Sequence, residues 1–458
     1  MGVQNAIAEL TTVLGQRLAR SKSDLDLHGR SETHFPLTPP DAVAYPETTA
    51  EVARIVDICT RHRCPVVGFG AGTSLEAQTQ AIHGGICVDF QRMNRILEIR
   101  ATDMTVRIQP GVTREALNQE LRATGLFFPV DPGANASVGG MAATRASGTT
   151  AVRYGTMRDN VLALEAVVAG GDVIRTGTGV RKSASGYDLT GLFVGSEGTL
   201  GLITELTLRL HGQPEAVSAA VCAFPDVAHA VSAVTDAIQM GLPMARIELI
   251  DGETVAAVNS YSGSGLPAQP HLLLEFHGSE SGVQEQAQTF GAIAGDHDGS
   301  GFDWATRPED RTALWAMRHS AFYAILAAWP GARSIVTDIC VPISRLAEAI
   351  GRTQADLADH GVQGPILGHV GDGNFHAVLM FDEADTPARQ RALDASARMV
   401  ELALSLGGTA TGEHGVGLGK LDYMAREHGG GWALMGAIKQ ALDPENIMNP
   451  GKLVPPRN

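Results

Sequence analysis

Two histidines and one glutamate are spaced so that a single metal ion could bind all three. His369 and His376 lie on either side of the turn-rich tetrapeptide 371–374, which short apolar runs precede and follow. If the tetrapeptide closes a β-hairpin, His369 lies opposite His376, and directly opposed residues have Cβ atoms roughly 5 Å apart. With the carboxylate of Glu413, this ligand set suits zinc, manganese or iron and leaves positions open for substrate oxygens. A hydrogen-bonded surface cluster is the alternative interpretation.

Composition limits the classes of partner and the location. The chain has 458 residues, enough for two or three domains. With 35 basic and 50 acidic residues, its net charge of -15 argues against nucleic acid or an anionic membrane as the main partner. Five cysteines without a C-x-x-C pair suggest neither a disulfide framework nor an iron–sulfur cluster. No secretory signal is visible, and no apolar run approaches the ~18 residues of a spanning helix, so we expect a cytoplasmic protein, at most peripheral to the inner membrane.

The local patterns change along the chain. Up to about residue 201, glycine loops separate β-rich runs such as 85–90, 105–109 and 164–169. From about residue 214, strand patterns alternate with helical ones, which indicates a sheet covered by helices. We place the boundary at 212–214, where a strand pattern ends in glycine and proline.

Three glycine-rich segments favour close approach of the backbone to a ligand. In segment 68–74, an apolar strand runs into a glycine turn with two hydroxyls, whose N–H groups could bind a pyrophosphate. A Rossmann-type dinucleotide site, with Asp89 on the next strand, is one alternative, although the third glycine of that fingerprint is missing. A purely structural turn is another. Segment 131–155 consists mostly of small residues and cannot form a hydrophobic core, and 195–205 is a third tight turn.

Together these three segments resemble the FAD-binding domain of the vanillyl-alcohol oxidase / p-cresol methylhydroxylase superfamily. The C-terminal half, down to 449–453, resembles the FAD-linked oxidase domain of the D-lactate dehydrogenase, glycolate oxidase flavoprotein-subunit and D-2-hydroxyglutarate dehydrogenase group. Within that group, segments 127–133, 142–148, 181–190 and 337–342 are most similar to the cytochrome- or quinone-linked D-lactate dehydrogenases.

The resemblance implies an α+β fold, with a two-part FAD-binding domain of the vanillyl-alcohol oxidase type followed by a substrate domain whose antiparallel sheet is covered by helices. We expect a lead-in with an N-terminal helix over 1–35, the FAD-binding domain over 36–213, and the substrate domain over 214–458, whose tail returns to the flavin. The FAD is expected to be noncovalent, because 68–74 contains no histidine or cysteine. The residues expected to bind it are Gly68, Gly70, Ala71, Gly72, Thr73, Ser74, Pro132, Gly133, Ala134, Ser137, Gly140, Ser147, Gly148, Ala151, Tyr154, Glu197, Gly198, Gly201, Ile203 and Asn449.

The resemblance also implies a reaction. His369, His376 and Glu413 match residues that bind a divalent metal, zinc or manganese, beside the flavin, and His414 matches the general base. Arg318 matches the arginine that binds the substrate carboxylate, and a planar guanidinium suits that task. Without the resemblance, the favoured interpretation of Arg318 is an arginine on a helix surface. Arg318, His369 and His414 are thus the expected substrate contacts. The implied activity is oxidation of a small D-2-hydroxy acid, D-lactate to pyruvate in the first instance, by hydride transfer to FAD.

Substrate size and partners follow by comparison within the group. Apolar Phe322 and Val378 stand where hydroxyglutarate enzymes carry polar groups, and an unpaired polar group costs roughly 1 to 3 kcal/mol, so a short side arm is favoured. Arg333 could bind a second carboxylate of the substrate, so a dicarboxylate substrate stays an alternative. A D-2-hydroxyglutarate or glycolate dehydrogenase, an oxygen-using oxidase, an NAD-dependent dehydrogenase and a noncatalytic flavoprotein remain alternatives. The expected partners are a quinone, a cytochrome or an electron-transfer flavoprotein as acceptor, and a second copy in a homodimer.

Overall fold

A computed structural model describes residues 2–31, 33–305 and 307–455. The described α-helices are α1 (Gly2–Leu14), α2 (Lys22–Gly29), α3 (Thr49–Arg61), α4 (Arg114–Leu121), α5 (Val138–Thr144), α6 (Ala151–Tyr154), α7 (Met157–Asn160), α8 (Leu189–Phe193), α9 (Val227–Gln239), α10 (Gly252–Ser262), α11 (Glu280–Asp296), α12 (Pro308–Ala328), α13 (Leu346–Asp359), α14 (Thr386–Ser405), α15 (Leu421–His428) and α16 (Gly430–Leu442). The described strands are β1 (Leu18–Ala19), β2 (Ala42–Ala44), β3 (Val66–Phe69), β4 (Ile86–Asp89), β5 (Ile96–Arg100), β6 (Thr105–Ile108), β7 (Leu126–Phe127), β8 (Val161–Val167), β9 (Val173–Gly177), β10 (Leu202–Arg209), β11 (His211–Gly212), β12 (Ala216–Ala223), β13 (Met244–Ile250), β14 (His271–Gly278), β15 (Ser300–Ala305), β16 (Ala332–Val336), β17 (Ile339–Cys340), β18 (Ile366–Gly368) and β19 (Asn374–Asp382).

The chain divides into two units. The first comprises Met1–Ser147, Gly155–Gln213 and Glu413–Asn458, and the second comprises Gly148–Tyr154 and Pro214–Gly412. The division into domains over 1–35, 36–213 and 214–458 stays a prediction. In the described ranges, no helix combines the length and the apolar character needed to cross a bilayer.

The first unit is built on two main sheets. A four-stranded sheet has the order β1-β2-β4-β3, and a five-stranded antiparallel sheet has the order β5-β6-β10-β8-β9. Thr48 caps the N-terminus of helix α3, and its side chain accepts a hydrogen bond from the Glu51 N–H. Its buried face packs in the same core as Val66 of β3. Strand β3 also receives the C-terminal segment, because the Val66 N–H donates to the Ile447 carbonyl (2.7 Å) and the Asn449 N–H donates to the Val66 carbonyl (2.8 Å).

The second unit contains an eight-stranded antiparallel sheet of order β15-β12-β14-β13-β18-β19-β16, with β17 paired to β19. Helices α11 and α14 pack on its strands, and α10 packs on α12. The expected α+β fold with a helix-covered antiparallel sheet is therefore confirmed. Because side chains alternate along a strand, Arg246 and Glu248 of β13 share one face. That face meets α12, since the Arg246 guanidinium lies 4.5 Å from the ring centroid of Trp315.

The predicted hairpin exists, but its predicted register is wrong. Strands β18 and β19 pair Leu367 with His376, and His369 precedes a 3-10 turn over Val370–Asp372. Asn374 already belongs to β19, where its side chain donates to Asp338 Oδ1 (2.8 Å) and to the Ile339 carbonyl (2.9 Å). These bonds draw the last residue of the expected loop into the strand.

Candidate active site

The first two glycine segments of the first unit touch each other. A Cβ atom built on Gly70 would lie 2.1 Å from Ser137 Oγ, so any other residue at this position requires the Ser137 hydroxyl to move. Gly72 has a φ of +72°, which also favours glycine. The hydroxyl oxygens of Ser74 and Ser137 are buried and have no hydrogen-bond partner among the described residues. Since buried hydroxyls are nearly always paired, a ligand is expected to pair them, and donors beside a glycine backbone fit the pyrophosphate of FAD.

Glu197 joins the third glycine segment to the C-terminal part of the first unit. Its carboxylate accepts hydrogen bonds from the N–H groups of Val416 (2.6 Å) and Gly417 (2.9 Å). Complete burial raises the pKa of Glu197, although these N–H donors act in the opposite direction. The Gln78 side chain donates to the His414 carbonyl at 2.7 Å. Together these bonds fix the backbone that carries Glu413 and His414.

Asn449 and Lys452 complete this anchor. The Asn449 amide donates to the carbonyls of Gln78 (3.0 Å) and Glu197 (2.7 Å). Lys452 donates to the carbonyls of Gln78 and Gln80 and to Asn449 Oδ1. Burial lowers the pKa of Lys452 to about 7, with the Glu197 carboxylate acting against the shift. Asn449, an expected cofactor residue, thus lies in a buried polar network of the first unit.

The paired histidines come together in the second unit, despite the different register. The ring centroids of His369 and His376 lie 5.5 Å apart, with the rings nearly perpendicular. His376 Nδ1 donates to the Thr337 carbonyl (2.9 Å), and His369 Nδ1 donates to Glu248 Oε1 (2.6 Å). Because both acceptors lack protons, Nδ1 carries a proton in each ring, and in the neutral imidazole the lone pair is then on Nε2. Metal-binding histidines in proteins have this arrangement, so the donor set fits a divalent metal.

Glu248 connects His369 to Arg318. The fully buried carboxylate accepts from His369 through Oε1 and from Arg318 Nε (2.9 Å) and Nη2 (2.6 Å) through Oε2. Burial raises the pKa of Glu248, but the interactions with His369 and Arg318 outweigh it, so the pKa lies below its ordinary value. Arg318 itself is only 8% exposed, and the helix-surface alternative is wrong. Glu248 was not among the residues expected from the sequence, in which an acid within the apolar run of strand β13 was the available signal.

Tyr154, another expected cofactor residue, lies in the second unit with Gly148 and Ala151. Its hydroxyl is 2.7 Å from His277 Nδ1, and His277 Nε2 is 2.8 Å from Glu275 Oε1. Arg153 donates to the carbonyls of Pro243 (2.6 Å) and His277 (3.0 Å). Helix α6 is thereby tied to β13 and β14.

The remaining predicted residues are placed as follows. Asp89, the acid of the Rossmann alternative, pairs with buried His28 at 2.8 Å. Phe322 and Val378 both belong to the apolar cluster that contains Trp315. In the β16–β19 ladder, Arg333 pairs with Phe381 and Val336 pairs with Val378. Because side chains alternate along each strand, Arg333 lies on the opposite face of the sheet from Val378.

The expected site residues are divided between the two units. The expected cofactor residues other than Gly148, Ala151 and Tyr154 lie in the first unit, as do Glu413 and His414. His369, His376 and Arg318 lie in the second unit.

Known proteins resemble the chain over nearly its whole length. The family described as FAD linked oxidases, C-terminal domain, matches residues 213–453, and the FAD binding domain family matches residues 40–177. The probable mitochondrial D-lactate dehydrogenase of Danio rerio is 46% identical, covering 99% of this chain and 92% of that protein. The mitochondrial D-lactate dehydrogenase [cytochrome] of Arabidopsis thaliana is 44% identical, covering 98% and 80%. The crystal structure of p-cresol methylhydroxylase with substrate bound matches with a TM-score of 0.81, at 18% identity, over 98% of this chain and 96% of that one.

These findings correct one expectation. The cytoplasmic location, at most peripheral to the inner membrane, is contradicted, because both relatives are named as mitochondrial proteins.

The comparisons with known proteins confirm the expected fold, since the p-cresol methylhydroxylase match extends over both units. They also agree with the FAD expectation, because the matched families are described by that cofactor. The identity to the relatives is far above what a shared fold alone requires. The chain therefore belongs to the FAD-linked oxidase family that includes the D-lactate dehydrogenases, and it is an FAD-dependent oxidoreductase.

Proposed function

We propose that this protein oxidises D-lactate to pyruvate and transfers the hydride to a noncovalently bound FAD. The observation that carries the proposal is the buried cluster in which Glu248 joins His369 to Arg318 and His376 lies beside His369, in a chain whose relatives are named D-lactate dehydrogenases. Imidazole nitrogens and a guanidinium are the groups that a 2-hydroxy acid needs, because its hydroxyl and carboxylate oxygens are both electron-rich.

The residues that would hold FAD are the glycine segments of the first unit, with the hydroxyls of Ser74 and Ser137 and the network of Glu197 and Asn449. When bound, FAD supplies the hydride acceptor. The expected contributions of Gly148, Ala151 and Tyr154 are part of the same proposal, as is the domain division at residues 35 and 213.

Gly70→Ala is expected to weaken FAD binding. The new methyl group would lie 2.1 Å from Ser137 Oγ, so the Ser137 hydroxyl, one of the proposed ligand contacts, must move away from its position. The ratio of flavin absorbance to protein absorbance in the purified variant measures the loss. Gly212→Ala is the matched control, since a Cβ there meets nothing within 4 Å. Full flavin content in Gly70→Ala would contradict the assignment of this segment.

We further propose that His369 and His376, with Glu413, bind a divalent metal, zinc or manganese. Such an ion supplies Lewis-acid stabilisation of the substrate oxygens. His414 accepts the hydroxyl proton of the substrate, and the backbone bonds from Gln78 and to Glu197 hold its loop in place. Arg318 binds the substrate carboxylate through Nη1, because its Nε and Nη2 are committed to Glu248.

Arg318→Lys is expected to raise the KM for D-lactate about tenfold or more. An ammonium can replace one bond to Glu248 Oε2 but cannot also present a second planar N–H to a carboxylate. Steady-state kinetics with an artificial dye as acceptor measures KM. Arg398→Lys is the control, because Arg398 pairs with a carboxylate, Asp356, elsewhere in the second unit, in a more exposed pair than that of Arg318 with Glu248. An unchanged KM in Arg318→Lys would move the carboxylate site elsewhere.

A short, apolar side arm is the preferred substrate feature. Phe322 and Val378 pack in one apolar cluster, and Arg333 lies on the opposite sheet face from Val378. A second carboxylate beside that cluster would lose solvation without gaining a partner, at a cost of roughly 1 to 3 kcal/mol or more. Lactate and 2-hydroxybutyrate meet this condition, whereas 2-hydroxyglutarate does not. The electrons would pass to a cytochrome, as the name of the A. thaliana relative suggests, and a homodimer is the proposed assembly.

Anaerobic mixing of the purified protein with D-lactate tests the function. We expect the flavin absorbance to bleach with D-lactate and to return slowly in air and quickly with cytochrome c. Rapid peroxide formation in air would indicate an oxidase instead. Bleaching with glycolate or D-2-hydroxyglutarate but not with D-lactate would show that the substrate is that hydroxy acid and not D-lactate. No bleaching by any 2-hydroxy acid would overturn the enzyme assignment.

A further inference from the structure

We propose that Glu248 is a positioning residue that sets the orientation of His369 and Arg318 with one carboxylate. This inference rests on the proposed function, because it concerns the metal ligand and the carboxylate-binding residue of that reaction. Glu248 was absent from the residues expected from the sequence, and among the described residues its side-chain hydrogen bonds and ion pairs are made with those two.

The two carboxylate oxygens of Glu248 bind different residues. Oε1 accepts from His369 Nδ1 at 2.6 Å, and Oε2 accepts from Arg318 Nε at 2.9 Å and Nη2 at 2.6 Å. A rotation of the carboxylate that shortens one contact would lengthen the other, so the two side chains cannot be oriented independently. The Arg318 guanidinium is held on its Nε–Nη2 edge, which leaves Nη1 for the substrate.

Burial makes this arrangement costly to disturb. Glu248 is 0% exposed, and the side chains of Arg318 and His369 are 9% and 12% exposed. Without the carboxylate, the guanidinium would be a buried, unpaired charge beside an apolar cluster, and the Nδ1 proton would lose its acceptor. Carboxylates that hold the Nδ1 proton of a metal-bound histidine typically contribute about 10- to 100-fold to metal affinity.

The neighbouring strand offers a second carboxylate of the same kind. Glu275 of β14 is 6% exposed, lies 2.8 Å from His277 Nε2 and accepts from Arg246 Nη1 at 3.4 Å. It therefore also joins one histidine to one arginine on the same sheet. Neither His277 nor Arg246 belongs to the proposed catalytic set, so Glu275 controls for the general effect of removing a buried bridging charge.

The test compares Glu248→Gln with Glu275→Gln as FAD-containing holoenzymes. The first readout is the affinity for Mn²⁺, titrated without substrate. The second is the affinity for oxalate, followed by its perturbation of the flavin absorbance in metal-free protein. We expect Glu248→Gln to lose about 10- to 100-fold in Mn²⁺ affinity and about tenfold in oxalate affinity. Glu275→Gln should stay within about twofold of the wild type in both.

The other outcomes of the two titrations separate failure of the positioning role from failure of the proposed function. Wild-type affinities in Glu248→Gln, or equal losses in Glu275→Gln, would overturn the positioning role while leaving the proposed function intact. If the wild type reacts with D-lactate but binds no Mn²⁺ or zinc, the proposed metal site fails, and the His369 half of the inference fails with it. The oxalate titration then still decides the Arg318 half.

A second variant covers the case in which Glu248→Gln does not fold. Glu248→Asp keeps the negative charge but is one methylene shorter, so it cannot reach both partners. We expect it to retain FAD and to lose part of the Mn²⁺ affinity. Full Mn²⁺ and oxalate affinities in a folded Glu248→Asp would contradict the proposal, because charge alone would then suffice.

Discussion

His369→Ala should reduce the rate of flavin reduction by D-lactate about 10³-fold while the FAD content stays unchanged. The substitution removes one imidazole of the proposed metal site, and a loss of about 4 kcal/mol of transition-state stabilisation corresponds to that factor. FAD should remain, because its proposed pyrophosphate site lies in the first unit, whereas His369 lies in the second. Anaerobic stopped-flow absorbance gives the rate, and elemental analysis of the dialysed protein gives the metal content.

His360→Ala is the control for this variant. His360 follows α13 as its C-cap in the same unit, is exposed, and its imidazole contacts Asp356 one helical turn before it. It should retain full metal content and activity. If His369→Ala reduced its flavin at the wild-type rate in metal-free buffer, the metal would have no part in the reaction.

His414→Asn should slow flavin reduction by about 10²- to 10⁴-fold, the usual contribution of a positioned general base. Asparagine is similar in size and polarity but cannot accept the hydroxyl proton at neutral pH. The loop should keep its conformation, because backbone groups of His414, Val416 and Gly417 bind the side chains of Gln78 and Glu197 in both proteins. The change should therefore appear in the limiting reduction rate at saturating D-lactate, with FAD content as in the wild type.

The matched control for that variant is His428→Asn in α15 of the first unit. His428 is partly exposed and lies near Glu427. We expect no effect on reduction from this change. A His414→Asn protein that reduces its flavin at the wild-type rate would assign proton abstraction to another group.

Much of the fold was predictable, because its strands and helices follow clear periodicities. The helix-covered sheet of the second unit appears in the alternation of strand patterns such as 271–276 with helical ones such as 344–360. The hairpin register was not predictable, because Asn374 has tertiary partners. Asp338 and Ile339 bind its side chain, and β17 pairs with it, so the turn begins and ends earlier than local turn chemistry indicates.

The candidate site was predictable only in part. His369, His376 and Arg318 were found through motifs, but Glu248 has no motif around it. An acid alternating with apolar residues in a strand usually indicates a solvent-facing position. Its partners lie 70 and 121 positions along the chain, so only the fold reveals that this acid is buried between them. The assignment of Gly148–Tyr154 to the second unit was also not predictable, because this segment lies inside a continuous run of mostly small residues.

The rate of flavin reduction by D-lactate, measured by anaerobic stopped-flow before metal removal, after it and after metal return, tests the central claim most directly. Chelation should slow reduction by about 10²- to 10³-fold. Zinc or manganese should restore the rate in the wild type but not in His369→Ala. Fast reduction by D-lactate in protein that elemental analysis shows to be free of metal would contradict the account.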